Sequence, residues 1–296
     1  MELSWVMKLR IATVIVVGAV LIGILAWPLA ASSDPIGPVR LSNTNFVKVI
    51  ILVLLALVVG FIAYFVSWPF GREIGVLAVP SGLAIWAVRS GSVAQLIQSN
   101  PTLSQRQTLL AALKWEPFFW LLIIAAGFAG VLLGQKILPK SEKAVLQTKS
   151  GNKQNKSLNA VIALVISVII IQLCIKILAR DTMMSDNKLV VQPAVGQIVF
   201  ALLVSFGLTA FIVKKFLNIS YIWPILAGAF VTTFNIITYA KQDVLQYFVG
   251  RYPATVFSSV IVSILPVQMM ALGALGSIAG YWLAVSYSYQ PKNGVH

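Results

Sequence analysis

Long apolar runs dominate this sequence of 296 residues and restrict the folds that are open to it. Seven runs meet or approach the roughly 20 residues that a helix needs to cross a bilayer. They lie near 11–30, 46–68, 117–138, 159–179, 195–216, 219–240 and 257–287, and the last is long enough to tilt. Only 10% of the residues are charged, against about a quarter in soluble domains. The sequence therefore predicts an all-α, polytopic helical membrane protein.

The stretch 71–91, GREIGVLAVPSGLAIWAVRSG, is a doubtful eighth span. Only residues 74–88 are free of charge, and Pro80-Ser81-Gly82 interrupts them. This segment either crosses the membrane or dips into it and returns. The choice decides on which side of the membrane every later loop lies.

The placement of lysine and arginine favours crossing, because these residues concentrate in short cytoplasmic loops and near span ends. Lys8 and Arg10 precede the first run and put the N-terminus in the cytoplasm. A crossing third segment puts the basic loop 139–158 there too. Five lysines of this loop face only Glu142 as an opposing charge: Lys140, Lys143, Lys149, Lys153 and Lys156. We therefore expect eight spans in an inner or plasma membrane, with both termini cytoplasmic.

The first run has an alternative interpretation as a secretory signal peptide. Lys8 and Arg10 would form its basic region, and Ala30-Ala31-Ser32 would be the cleavage site. The apolar run is longer than is usual for such a peptide, and Trp27-Pro28 fits poorly just before a cleavage site. We expect the run to be retained as the first span.

The fourth and eighth spans share the pattern GxxGxxxG. It occurs at Gly127, Gly130 and Gly134 and again at Gly273, Gly276 and Gly280, with a constant offset of 146 residues. The hypothesis is a parallel duplication in which two four-span units, 1–138 and 159–296, flank the basic cytoplasmic linker 139–158. The alternative is that glycine-rich spans resemble one another by chance. Small residues one turn apart let helix backbones approach closely, so these glycines are expected to pack the halves together or to pack against a partner subunit.

Residues that commonly carry catalysis or hold metals are scarce. The lone histidine is the last residue, His296, and the single cysteine, Cys174, lies within an apolar run. Ionisable residues deep in the spans are absent from the predicted topology, and Lys48, Lys176, Lys214 and Lys215 lie near span ends, where they can reach the interface. The net charge of +14 is scattered between the runs, which argues against nucleic acid. We expect no catalytic residue, no metal and no cofactor.

A solute site has one candidate, at paired interruptions of the third and seventh spans. Glycine follows proline closely in both, which is a sequence signature of transporter sites. The candidate residues are Pro80, Ser81, Gly82, Pro224, Gly228, Thr232 and Asn235. The alternative is that the polar residues within spans bond neighbouring helices. Those residues are Gln172, Thr232, Thr233, Asn235 and Gln268, and Pro266 beside Gln268 is expected to kink the eighth span.

Each half also has an amphipathic stretch outside the membrane, after its third span. In the first half, Ser104 to Gln107 forms a possible capping box ahead of Leu109, Leu110 and Leu113. In the second half, Val244, Leu245 and Phe248 share one face.

Two functions remain open. The first is a non-enzymatic membrane subunit or scaffold that docks a membrane or cytoplasmic protein while embedded in the lipid bilayer. The second is a permease for a neutral, apolar or zwitterionic solute, using the interrupted third and seventh spans. A cavity lined by Ser81, Thr232 and Asn235 would favour the permease, and close packing would favour the scaffold.

Overall fold

The computed structural model describes residues 5–31, 38–138, 153–179 and 189–288. Eight helical segments of this part of the chain are long and apolar enough to cross a membrane, which confirms the all-α, multi-pass architecture. We number them spans 1 to 8: Trp5–Leu25, Phe46–Val66, Gly71–Arg89, Leu103–Ile137, Ser157–Leu178, Val195–Leu217, Ile222–Tyr239 and Pro266–Tyr287.

The described residues of the first half form eight α-helices. They are α1 Trp5–Gly18, α2 Trp27–Ala30, α3 Phe46–Val66, α4 Gly71–Ile74, α5 Ala78–Arg89, α6 Val93–Gln98, α7 Leu103–Leu113 and α8 Glu116–Ile137. A π-helix, Ala19–Leu25, continues α1 and completes span 1. Helix α3 begins after Asn45, whose side chain accepts a hydrogen bond from the Val47 amide at 3.1 Å.

Span 3 is helical throughout, although it changes type. Helix α4 passes through a 3₁₀ turn, Gly75–Leu77, into α5. Pro80 lies in the first turn of α5, where its missing N–H costs little. With about 1.5 Å per α-helical residue and about 2 Å per 3₁₀ residue, the segment rises about 30 Å, the thickness of a bilayer core. Its length is therefore that of a complete span.

The second half contains five α-helices. They are α9 Lys153–Leu178, α10 Val195–Ile212, α11 Ile222–Tyr239, α12 Gln242–Arg251 and α13 Pro266–Ser288. A π-helix, Val213–Leu217, continues α10 and ends at Asn218, which adopts a left-handed φ of 52°. Two short strands, β1 Val190–Val191 and β2 Val256–Phe257, pair antiparallel with Val190 opposite Phe257.

Two helix starts differ from the sequence prediction. Span 8 begins at Pro266, so this proline is the first residue of α13 and does not kink it. The preceding residues form β2 and a 3₁₀ turn, Val260–Ser263. The capping box of α7 uses Thr102 and Gln105, two residues before the predicted pair, because Thr102 is the last extended residue before the helix.

The helices pack in a regular order. Helix α3 lies along α8, and α10 lies along α13, and these are the two most extensive helix contacts. Helices α8 and α13 meet at the centre, while α5 packs on α13 and α11 on α8 to join the halves. Helices α6, α7 and α12 with the strand pair cover one end of the bundle, and we call them the cap. In the predicted topology the cap is extracytoplasmic.

Candidate functional site

The polar side chains of the candidate solute site bond to their own helices. Ser81 Oγ donates to the Ala78 carbonyl at 2.9 Å, and Thr232 Oγ1 donates to the Gly228 carbonyl at 2.9 Å. Asn235 Nδ2 donates to the carbonyl of Val231 at 2.8 Å. Ser81 and Thr232 are buried. Their donor groups are therefore already paired within the protein.

The two proline segments pack against different neighbours. In span 3, Gly82 lies against span 1, and a Cβ on it would meet the Ile22 Cβ at 2.6 Å. In span 7, Gly228 lies against the ring of Phe206, with a built Cβ 2.6 Å from Cζ. Pro80 and Pro224 both lie in the first turn of their α-helices. Two surface clefts of the described residues lie elsewhere, beside the starts of α3 and α7.

The glycine rows pack each half internally. A Cβ on Gly130 would overlap the Leu57 carbonyl oxygen of α3, and one on Gly276 would lie 2.7 Å from the Leu203 carbonyl oxygen of α10. Gly134 lies against the ring of Tyr64. The remaining row members contact side chains or backbone as follows: Gly127 meets Val79, Gly273 meets Phe206 and Gly280 meets Gly207. The rows therefore serve contacts of α8 with α3 and α5 and of α13 with α10.

Three side chains form hydrogen bonds between the halves near the cap. Gln268 Nε2 donates to the Ala87 carbonyl at 3.1 Å, while its Oε1 accepts from the Leu265 amide at 3.0 Å. Thr233 Oγ1 donates to the Lys114 carbonyl at 3.0 Å. The sequence singled out Gln268 and Thr233 as polar residues within spans.

Gln192 is the third side chain that bonds across the two halves, and the sequence interpretation did not predict it. Its Oε1 accepts from the Ala94 amide at 3.2 Å, and its Nε2 donates to the Ser263 carbonyl at 3.0 Å. Gln192 lies between β1 and α10, outside the apolar spans in which polar residues were expected to bond neighbouring helices. Its position after two apolar residues in a loop carries no sequence signal for a contact with the other half.

Glu116 is a buried carboxylate that the sequence interpretation overlooked. It is 1% exposed, and its Oε1 and Oε2 accept from the amides of Ser42 at 2.7 Å and Leu41 at 3.1 Å. Arg106 is also buried, and its Nε donates to the Asn100 carbonyl at 3.1 Å. These charges lie at the cap end of the bundle, where backbone groups of the loops hydrogen-bond to them.

Tryptophan side chains form a column at the same end. Trp27, Trp86 and Trp120 contact edge to face, with successive ring centroids 6.0 Å apart. The Arg89 guanidinium lies 4.4 Å from the centroid of the Trp27 ring. Trp86 Nε1 donates to the Gly23 carbonyl at 3.0 Å and so ties span 3 to span 1. The column packs α2, span 3 and span 4 against one another.

The basic linker lies mostly outside the described residues. Lys140, Lys143 and Lys149 are outside them, whereas Lys153 and Lys156 belong to the start of α9, with side chains that are not described. Within the described ranges, no group of three His, Cys, Asp or Glu side chains is placed to hold a metal ion.

Comparison with protein-family models, with curated proteins and with solved structures finds no match to this chain. No relative therefore supplies a residue role or a partner. The function has to be argued from the packing and polar groups of the chain itself.

Proposed function

We propose that this chain is a non-enzymatic subunit or scaffold of an inner or plasma membrane that docks a partner protein. The observation that carries the proposal is the pairing of Ser81, Thr232 and Asn235 with carbonyls of their own helices. Polar groups that are paired in this way offer a solute little to bind. Close packing at the glycine rows further favours a structural role over transport.

The docking surface in this proposal is the basic linker 139–158. Five lysines against one glutamate give it a charge suited to an acidic surface on a cytoplasmic partner. Span 5, which begins next to the linker, has an outward apolar row available to lipid or to a partner helix. The row consists of Leu158, Val161, Val165, Ile169, Leu173 and Ile177.

The proposal includes a duplicated architecture, with units 1–138 and 159–296. Its support is the pair of matched helix crossings, in which Gly130 meets Leu57 and Gly276 meets Leu203. Both members of the second crossing lie 146 residues after those of the first. Chance similarity between glycine-rich spans would not require the same partner position on the second helix.

Affinity purification in mild detergent tests the docking role. The tagged chain should retain a stoichiometric partner, identified by mass spectrometry. Changing Lys140, Lys143 and Lys149 to Gln should release that partner. Changing Lys8, Arg10 and Lys48 to Gln removes the same charge elsewhere and should not. Recovery of the chain alone, in monodisperse form, would contradict the proposal.

A permease is the second candidate, and the matched crossings favour it as well, because many transporters are built from internal repeats. In this case one class of neutral, apolar or zwitterionic solute should raise the unfolding temperature of the purified chain. Pro80→Ala and Pro224→Ala should abolish that rise. An equal rise in unfolding temperature with unrelated solutes would contradict the permease function.

A further inference from the structure

An apolar groove runs down the outside of the first half from the cap end. It has a volume of about 400 Å³ and lies between α3 and α8. Its walls are mainly Phe46, Ile50 and Val53 on one side and Phe119 and Leu122 on the other. Phe46 is 76% exposed and Phe119 is 39% exposed, so the groove opens outward, toward lipid.

The dimensions of the groove match a single lipid chain. Its wall on α3 extends from Phe46 to Leu54, a rise of about 12 Å. Half of a bilayer core is about 15 Å thick. A linear acyl chain in that half of the bilayer can therefore lie along most of its length in the groove.

A second cleft is polar and is lined in part by Arg40, the residue just before Leu41 of the groove. It has a volume of about 380 Å³, and Arg40 is the one charged residue among those that line it. Asn100, Ser104, Gln105 and Thr108 supply neutral polar side chains around it. Residues 41, 42 and 44 line the groove itself, so the two clefts lie beside one short stretch of chain.

The charge on Arg40 is only partly compensated within the protein. Glu116 is close enough to interact with it electrostatically, but both carboxylate oxygens of Glu116 accept backbone hydrogen bonds. Among the described residues, nothing forms a hydrogen bond or ion pair with the Arg40 guanidinium. Partial burial lowers the pKa of Arg40, yet a guanidinium stays protonated at neutral pH. A cation so placed favours an anion in the cleft.

We infer that the groove and the cleft together bind one anionic phospholipid, with an acyl chain between α3 and α8 and the phosphate at Arg40. Guanidinium groups pair with phosphate through two parallel hydrogen bonds, and the net negative charge of an anionic headgroup favours it over a zwitterionic one beside this cation. The site does not depend on the proposed docking function, since it uses neither the basic linker nor the outer face of span 5.

Lipid retention by the full chain tests this site. The protein in mild detergent is mixed with equal amounts of phosphatidylglycerol and phosphatidylcholine with identical acyl chains, and the retained lipids are counted by native mass spectrometry. Arg40→Gln should lower the preference for phosphatidylglycerol about fivefold. Arg40→Lys should keep part of it. Lys48→Gln removes the same charge from an exposed site nearby and should change nothing.

The groove has its own pair of variants. Val53→Trp fills it and should lower retention of both lipids, and Leu122→Trp does the same from the opposite wall. Val58→Trp adds the same ring to the lipid-facing side of α3 outside the groove and should retain lipid normally. Thermal unfolding of each variant within the wild-type range confirms its fold.

Three results would overturn the inference. If Arg40→Gln and Lys48→Gln lower the preference for phosphatidylglycerol equally, the preference comes from general surface charge and not from a site at Arg40. If Val53→Trp and Val58→Trp lower lipid retention equally, the groove is not the binding site. Stabilisation by soluble glycerol phosphate as large as that by phosphatidylglycerol would show that the ligand is a free phosphate compound.

Discussion

Gly60 and Gly127 bring the backbones of α3 and α8 into direct contact, because a Cβ on Gly60 would overlap the Gly127 carbonyl oxygen. The contact is reciprocal: a Cβ on Gly130 would overlap the carbonyl oxygen of Leu57. In lipid, helices gain little from the hydrophobic effect, so close backbone approach supplies the attraction. The crossing of α3 and α8 therefore depends on the absence of side chains at these positions.

Gly130→Ala should destabilise the protein by roughly 1–3 kcal/mol, the usual cost of overpacking. The added methyl group has no room beside the Leu57 carbonyl, so α8 must move away from α3. Chemical unfolding in detergent, followed by circular dichroism, measures the change in the free energy of unfolding.

Gly196→Ala is the matched control, since a Cβ on Gly196 has no atom within 4 Å. It should leave the free energy of unfolding unchanged or raise it by up to about 1 kcal/mol. If Gly130→Ala behaves like this control, the crossing of α3 and α8 is not as close as described.

Gln268→Leu should destabilise the protein by roughly 1–2 kcal/mol. The substitution keeps the bulk of the side chain but leaves the Ala87 carbonyl and the Leu265 amide without their partner. Because Ala87 belongs to the first half, the contact between α5 and α13 should weaken. Thermal unfolding in detergent measures the effect.

Gln98→Leu provides the comparison, since Gln98 is exposed at the end of α6. If Gln98→Leu lowers the stability as much as Gln268→Leu does, the effect does not come from the bond between Gln268 and Ala87. Gln192→Leu should resemble Gln268→Leu, since Gln192 also bonds across the halves.

The spans were predictable because the length and apolarity of a run are local properties of the sequence. The long helix of span 3 was expected as well, although Pro80-Ser81-Gly82 interrupts its pattern, because charge placement favoured a crossing. The glycine rows were also visible, since one-turn spacing of small residues is a local pattern. The helices that they contact were not visible, because α3 and α10 carry Gly60 and Gly207 without a repeated motif.

The polar contacts could not be predicted because they join distant parts of the chain. Glu116 bonds Leu41 across 75 residues, and Gln268 bonds Ala87 across 181. A charge at a span end normally faces the interface, so Glu116 gave no sign of its burial.

The start of span 8 at Pro266 was also misplaced because of a distant contact. The apolar residues before Pro266 suit a strand as well as a helix, and pairing with β1 selects the strand at residues 256–257.

Glu116→Gln should destabilise the start of α3 and cost about 1–3 kcal/mol. Glutamine has one acceptor oxygen, whereas the Leu41 and Ser42 amides use two, so one amide would face the NH₂ group. Hydrogen exchange should quicken at the amides of Leu41 and Ser42, and mass spectrometry of peptides covering residues 38–45 measures it.

Asp243→Asn is the control for that change, because it neutralises an exposed carboxylate in the first turn of α12. It should cost less than about 1 kcal/mol and leave exchange at residues 38–45 unaltered. Unchanged exchange in Glu116→Gln would mean that the loop does not depend on the carboxylate.

The crossing of span 3 predicts that its two ends are labelled from opposite sides of the membrane. Arg72 is exposed at the start of span 3 and Ser99 is exposed after α6, beyond its other end, so Arg72→Cys and Ser99→Cys place one thiol on each side. The background is Cys174→Ala, which removes the native thiol. In intact cells a membrane-impermeant maleimide should label Ser99→Cys, while Arg72→Cys should react only after permeabilisation. Labelling of both from one side would make span 3 re-entrant and move the basic linker 139–158 out of the cytoplasm.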